Sequence, residues 1–580
     1  MIKKEKTCRL LRGHRTIFVV VLCLFGLCLA ESHQAPVKKR KPRTKTDERV
    51  YLVHANELSY NRYGPKPDAQ FLKGKVQFKH KGATLTCDSA YFFDASNSFE
   101  AFGHVKMRQG DTLTLDSDYA YYDGNDQFAK ARHNVVLTHR GTKLYTDSLD
   151  YDRLYSYGYF FEGGKMIDKK NVLTSDWGEY HTDSREAIFN FNVNLKNPKF
   201  LLTTDTLHYD TRTSIAHIVG PSTITSGESI INTSSGYYDT NKEKAQLFSR
   251  TTLINKQKEI VGDSLYYDDK NGISEGFRNV IYTDKENKNQ MYCDYFWYND
   301  KTGYAFATQK AKLVDFSQKD TLYLHGDSIK MYTYNIDTDS VWRKFHCFDK
   351  VRAYRVDVQA VCDSLVYDTK DSCMVMYKDP ITWNGPRQLL GEVIEVFMKD
   401  STIDRAHVIG QALSVEKIDQ EDHFNQISSK EMFAYFDKGE IYRSDAVSNV
   451  QSIYYPIDSK DSSFIGMNYA ETDTMRMYLK ERKLQRIWMP AAECTTYPIT
   501  QIPPGQMKLR NFAWFEEIRP VDKDDIFNWR GKSQGYEVKR LERHSAPLQK
   551  LSDFGEKDKT PLPPPTEGPG KEPEGEELLQ

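Results

Sequence analysis

Residues 50 to 480 predict an all-β fold, a β-solenoid of stacked antiparallel hairpins, and three observations carry that prediction. A six-residue string recurs as "DSLDYD" (Asp147 to Asp152), "DTLHYD" (Asp205 to Asp210), "DSLYYD" (Asp263 to Asp268) and "DSLVYD" (Asp363 to Asp368). Inside and after each copy, apolar and polar residues alternate, the two-residue period of a strand. No persuasive 3.6-residue period competes with it, and 37 tyrosines favour strands.

The first position of the string falls at Ser89, Asp118, Asp147, Asp176, Asp205, Ser234 and Asp263, each 29 residues from the last. Asp294, Asp327, Asp363 and Glu392 continue at steps of 31, 33, 36 and 29, and "NELSYN" at Asn56 opens the series. Weaker copies lie around Met432 and Asn468. A fixed period of this size means an array of one supersecondary unit. The fifth position is Tyr60, Tyr122, Tyr151, Tyr209 or Tyr267, and the third Leu58, Leu149, Leu207 or Leu265. Two residues apart on a strand is one face, so these positions point in and the aspartates point out.

After each string come a turn and a second strand. In "DGNDQFAKARHNVVLTHRG" the dipeptide Gly124-Asn125 suits a two-residue hairpin. Ala129, Ala131, Val135 and Leu137 then share an inward face, expected to lie opposite Tyr122, Leu149 and Tyr151. The aspartates, placed at the strand start and before the turn, are read as structural groups that satisfy backbone at corners. With two strands per repeat at about 4.8 Å each, thirteen repeats would stack to roughly 125 Å.

The first thirty residues read as an export signal. Six Lys and Arg precede the apolar run "IFVVVLCLFGLCLA", which ends at Ala30, the expected cleavage site. Removing residues 1–30 takes away those six cations and Glu5, moving the formal net charge from −1 to −6. That acidity excludes a nucleic-acid binder, which needs a basic face for phosphates. "KKRKPRTK" (Lys38 to Lys45) reads as a solvated linker, with contact to acidic headgroups as its sharper reading. Cys87, Cys293, Cys347, Cys362, Cys373 and Cys494 contain no C-x-x-C pair and read as small buried hydrophobes.

No catalytic constellation stands out. H-E-x-x-H, G-x-S-x-G and phosphate-binding glycine loops are all missing, and the 15 histidines form no i, i+4 metal pair. The reading is a non-enzyme with no cofactor and no metal. From Arg486 the character changes to "WMPAAECTTYPITQIPPGQ" and "LRNFAWFEEIRPVDKDDIFNWRG", a cap on the last strand or a docking segment. The tail from Leu551 is rich in Pro and Glu, the composition of a disordered segment.

With the units aligned, "CDSAYFFDASNSFEAFGHVKMRQGDTLTLDSDYAYYD" (Cys87 to Asp123) and "ARHNVVLTHRGTKLYTDSLDYD" (Ala131 to Asp152) resemble the OstA/LptA-like family of lipopolysaccharide-transport proteins. The resemblance is best over residues 50–310 and extends with longer loops through 311–485. It implies an elongated, V-shaped β-jellyroll whose apolar trough shelters lipopolysaccharide acyl chains on their way from inner to outer membrane. It also implies a periplasmic location and coupling to inner- and outer-membrane transport components by addition at terminal strands. On that reading Leu58, Tyr60, Tyr122, Ala129, Ala131, Val135, Leu137, Leu149, Tyr151, Leu207, Tyr209, Leu265 and Tyr267 face the trough. The expected organisation is a signal (1–30), a basic linker (31–49), the two repeat regions, a cap or docking segment (486–551) and the tail (552–580). The alternatives are an anchored or barrel-associated component of the same machinery, and a β-helical protein that binds or cleaves polysaccharide.

Overall fold

The computed structural model describes residues 48–336, 338–399, 402–419, 421–458, 463–481 and 483–530. The signal segment with Ala30, the basic cluster at 38–45 and the Pro/Glu tail lie outside the described residues. The described chain is all-β, and every strand pairing within its units is antiparallel. No described helix is long and apolar enough to cross a membrane. The chain divides into two units, residues 1–169 with 177–184, and residues 170–176 with 185–580.

In the first unit, strands Gln70–His80, Ala83–Phe93, Ser98–Gln109, Leu113–Asp123, Phe128–His139 and Thr142–Asp152 pair in sequence, each with the next. Each pairing shifts register near its middle, as between Asp116 and Tyr119 or Arg132 and Val135. There the strand turns a corner: Phe128–His139 inserts a left-handed pair and keeps its alternation in step, whereas Leu113–Asp123 has none and its parity flips. In Leu113–Asp123 the buried residues are Leu113, Leu115 and Ser117 before the corner, then Ala120 and Tyr122 after it. An unbroken alternation could not bury both sets; the bulge lets both halves of one strand face the same interior.

Two walls result. The motif wall carries positions three and five of the repeated string, and the facing wall carries the other half of each strand. They meet directly: Phe78 of the facing wall stacks on Phe99 of the motif wall with centroids 4.3 Å apart. Burying each such ring or leucine contributes roughly 1.5–3 kcal/mol.

The corner explains the first aspartate of the string. At the corner of Phe128–His139, His133 and Asn134 are both left-handed, with φ of 63° and 54°. The Asn134 side chain donates to Asp118 at 2.6 Å, and its backbone N–H donates to Asp147 at 3.1 Å. One corner asparagine therefore ties together the aspartates of two successive repeats. The second unit repeats the device at Asn279 (φ 48°), bonded to Asp263 at 2.6 Å and Asp294 at 3.2 Å. Asp118, Asp147 and Asp294 stand in mid-strand, not at a strand start, because the strand runs on round the corner; Asp263 alone of the four lies in a break, between Lys258–Gly262 and Ser264–Asp268.

The last aspartate of the string closes the turn. Asp123 accepts from the N–H groups of Asn125 (2.8 Å) and Asp126 (3.3 Å), and Gln127 leaves the loop left-handed at φ 59°. Gly124-Asn125 is therefore not a two-residue hairpin but the start of a four-residue Asx-type loop. Two-residue chemistry belongs to the opposite end of the strands, at Arg140-Gly141, where φ is 47° and 94°. Turns stack on turns: the Gln127 carbonyl accepts the Arg153 N–H at 3.1 Å, and Arg185 accepts Thr211 in the second unit at 3.0 Å.

The second unit continues the plan from Glu186–Lys196 and Phe200–Asp210 onward. Its later strands lengthen, Thr402–Lys417 to 16 residues and Glu440–Tyr454 and Gly466–Lys480 to 15 each.

Replacing Asn134 tests the corner. Asn134→Val puts a β-branched residue at φ 54° and removes the side-chain bond to Asp118, and is expected to cost about 1–3 kcal/mol by urea denaturation. Asn134→Gly keeps the backbone permitted, as Gly163 does one repeat later at φ 79°, and should lose much less.

Candidate functional site: the interior between the walls

The residues predicted to face a trough do lie on the inner side. Tyr122, Ala129, Ala131, Val135, Leu137, Leu149 and Tyr151 in the first unit, and Leu207, Tyr209, Leu265 and Tyr267 in the second, are each at most 5% exposed. Ala129 and Ala131 are not opposite Tyr122 and Leu149, however. They pair beside them on the motif wall, as Tyr122 with Ala129 and Ala131 with Leu149. Only Val135 and Leu137 lie on the facing wall, because the corner at His133 and Asn134 separates the two pairs. Leu58 and Tyr60 pair with Leu72 and Gln70, so Leu58 shares the inner face with buried Leu72. Both are open to solvent, 56% and 61% exposed, since Glu57–Tyr60 is an edge strand whose described pairing is with Gln70–His80 alone.

Along the rim the motif tyrosines clasp the facing wall. The Tyr122 hydroxyl lies 2.8 Å from His80 Nδ1 and accepts from Arg153 Nη1 at 2.6 Å. The same buried guanidinium reaches Gln109 Oε1 and the Lys81 carbonyl. Burial pushes the Tyr122 hydroxyl's pKa up, and the neighbouring Arg153 partly offsets this. Tyr180 meets His139 at 2.9 Å, and in the second unit Tyr209 accepts from Asn171 and Tyr298 from Lys258, both at 2.8 Å. In these repeats the interior is filled by its own side chains and sealed by hydrogen bonds. The periodicity revealed the tyrosines; the partners, about forty residues upstream, left no sequence signal.

Toward the C-terminus the seal changes character. Residues 506–528 fold back as a strap along the facing wall of the second unit. Gln426 donates to the Met507 carbonyl at 2.8 Å and accepts the Leu509 N–H at 2.9 Å. Gln388 does the same for Ala513 (2.9 Å) and Phe515 (2.8 Å). Arg519 donates to Gln359, and Phe527 packs on His325 with ring centroids 4.7 Å apart. Leu509, Ala513, Phe515 and Ile518 join Val361, Trp383, Leu390, Leu413, Val415 and Phe424 in one buried cluster. Buried Arg352 meets Asp525 at 3.4 Å, and Arg530 pairs with the same carboxylate. Burial would raise Asp525, yet the Val521 N–H, the Asn528 amide and the two guanidinium groups hold it below the usual carboxylate range. The Pro- and Trp-rich composition marked this stretch as unlike a repeat, but only the fold shows which wall it covers.

Chemically the site is an apolar interior with polar fastenings. Burial pushes the thiols of Cys87, Cys293 and Cys347 up to about 12, which removes nucleophilic character. Asp419, Glu421 and His423 bring three potential metal ligands within 4.8 Å, with His423 Nδ1 already 2.6 Å from Asp419. An open depression of about 480 Å³ at a corner of the second unit is lined by Asn192, Asn194, Thr203, Thr223 and Asn232, unsuited to an alkyl chain.

Residues 47–205 match the family model described as OstA-like protein, a likeness that supports an OstA/LptA-like family. No curated protein matches the chain. The family is one of transport and binding, and the domain suggests a periplasmic protein related to lipopolysaccharide transport.

Two measurements probe the fastenings. Tyr122→Phe removes the hydroxyl between His80 and Arg153 and should destabilise the chain by about 1–3 kcal/mol in urea, because buried partners lose a bond. His325, buried and bonded to the Ala311 carbonyl at 2.7 Å, has its pKa lowered by burial, with Arg352 and Lys350 adding to the shift and Asp327 opposing it. Its contribution is therefore intact above the unfolded value of about 6.5 and is lost as pH falls through the folded one. Amide protection around Phe527, taken relative to the intrinsic exchange rate at each pH, should fall on acidification from pH 7 to 5 in the native chain and less so in His325→Gln.

Proposed function

We propose that the protein is a periplasmic carrier that shelters the acyl chains of lipopolysaccharide between its walls during passage from the inner to the outer membrane. The supporting observation is the unbroken file of buried Leu, Ala and Tyr side chains that each repeat adds to the interior of its unit. An acyl chain crossing water costs about 0.8 kcal/mol per exposed CH₂, so a repeated apolar lining removes a barrier that a single pocket would not. Uniform repeats offer no deep minimum, and a chain can move from one to the next.

The uncovered N-terminal strands fit the role. Leu58 and Tyr60 present an apolar inner face on the strand Glu57–Tyr60, whose other edge pairs with nothing among the described residues, the arrangement that accepts a further strand from a partner. Inner- and outer-membrane transport components are the partners this reading requires. No group in the interior needs to react, and the assigned role involves neither catalysis nor a cofactor.

Photo-crosslinking in cells tests it. Tyr209 lies inside, while its neighbour His208 lies on the outer face, 5.5 Å from the His217 ring. A photoreactive residue at 209 is expected to capture lipopolysaccharide and one at 208 is not. Capture at neither site, in exported and folded protein, would remove the lipid from the proposal.

A further inference from the structure

We propose that the C-terminal strap, residues 506–528, is a resident occupant of an acyl-chain site in the later repeats and is displaced when such a chain binds. This rests on the reading of the interior as a place for acyl chains and adds where one is received and what guards it.

The strap stands where the second wall stands elsewhere. Earlier in the same unit the interior closes wall to wall, with Phe200 and Tyr238 at 4.5 Å. From Val361 to Met467 the buried cluster instead consists of facing-wall residues and the strap's Leu509, Ala513, Phe515 and Ile518. The motif wall opposite has lost its cover at the outer positions: Phe345, Tyr367, Met374 and Val396 are only half-buried, where their counterparts Tyr122 and Tyr151 are sealed. The strap thus lays an apolar row, Leu509, Ala513, Phe515 and Ile518, across successive strands, the path an extended alkyl chain would take.

Its attachment suits release. A strand added to a sheet is held by a ladder of backbone bonds. Here the backbone is held largely by side chains: Gln426 and Gln388, both fully buried, each grip one carbonyl and the N–H two residues on. The docked state also leaves buried donors unused, namely Nε and Nη1 of Arg352 and the Trp383 Nε1. Buried donors without partners disfavour a closed state and leave an alternative within reach. A competing alkyl chain needs none of the glutamine bonds and fills the space vacated by Phe515 and Leu509.

The test uses the full chain and cis-parinaric acid, a fatty acid whose fluorescence rises in apolar surroundings, with hydrogen exchange read by mass spectrometry. On binding, exchange of the peptide containing Leu509 and Phe515 is expected to quicken at least threefold, with no quickening around Tyr122. Gln388→Ala with Gln426→Ala loosens the strap without touching its apolar residues and should tighten probe binding. The gain is about tenfold for a strap docked nine times in ten. Leu509→Ser with Phe515→Ser should act in the same direction, and a cooperative urea transition in each variant establishes that it folds. Binding that leaves strap exchange unchanged, or slows it, overturns the displacement and leaves the acyl-chain interior standing. A probe that binds neither the native chain nor the loosened variants overturns both.

Discussion

The corner is the constraint on which everything else depends. A strand alternates its side chains, so a flat strand can bury only one set of them. Once per repeat a left-handed pair carries one strand round the corner with its alternation in step, and the neighbouring strand turns without such a pair and flips parity, so that each strand becomes part of two walls that face each other. The interior, its aromatic lining and its rim all follow from that step. The device needs residues that tolerate positive φ and acceptors for the backbone groups it strands. Asn134 with Asp118 and Asp147, and Asn279 with Asp263 and Asp294, supply both.

The repeated aspartates and tyrosines therefore have different duties. The aspartates hold geometry, one at the corner and one in the turn loop, and the tyrosines fill the interior and fasten its rim. A wall packed only by apolar side chains would open with little directional preference. Hydroxyls that reach His80, His139 and Asn171 fix how far the two walls stand apart.

The two kinds of closure differ in consequence. Where walls close on each other, admitting a ligand means separating two sheets that share many contacts. Where the strap completes the core, a single segment of chain has to leave.

The sequence by itself determined the class of fold, the period, the inward positions and the family. A side-chain alternation and a 29-residue step are local properties that survive in the bare string. It also marked the stretch after Arg486 as foreign to the repeats. It misplaced Ala129 and Ala131, set the aspartates at strand starts and shortened the turn at Gly124, all for one reason. A corner inside a strand depends on backbone handedness at His133 and Asn134, and neither residue type announces it. Only the tertiary structure decided that Tyr122 meets His80 and that Phe515 lies against Gln388. Such contacts join residues 42 and 127 positions apart, and nothing in a one-dimensional pattern encodes which distant surfaces close on each other.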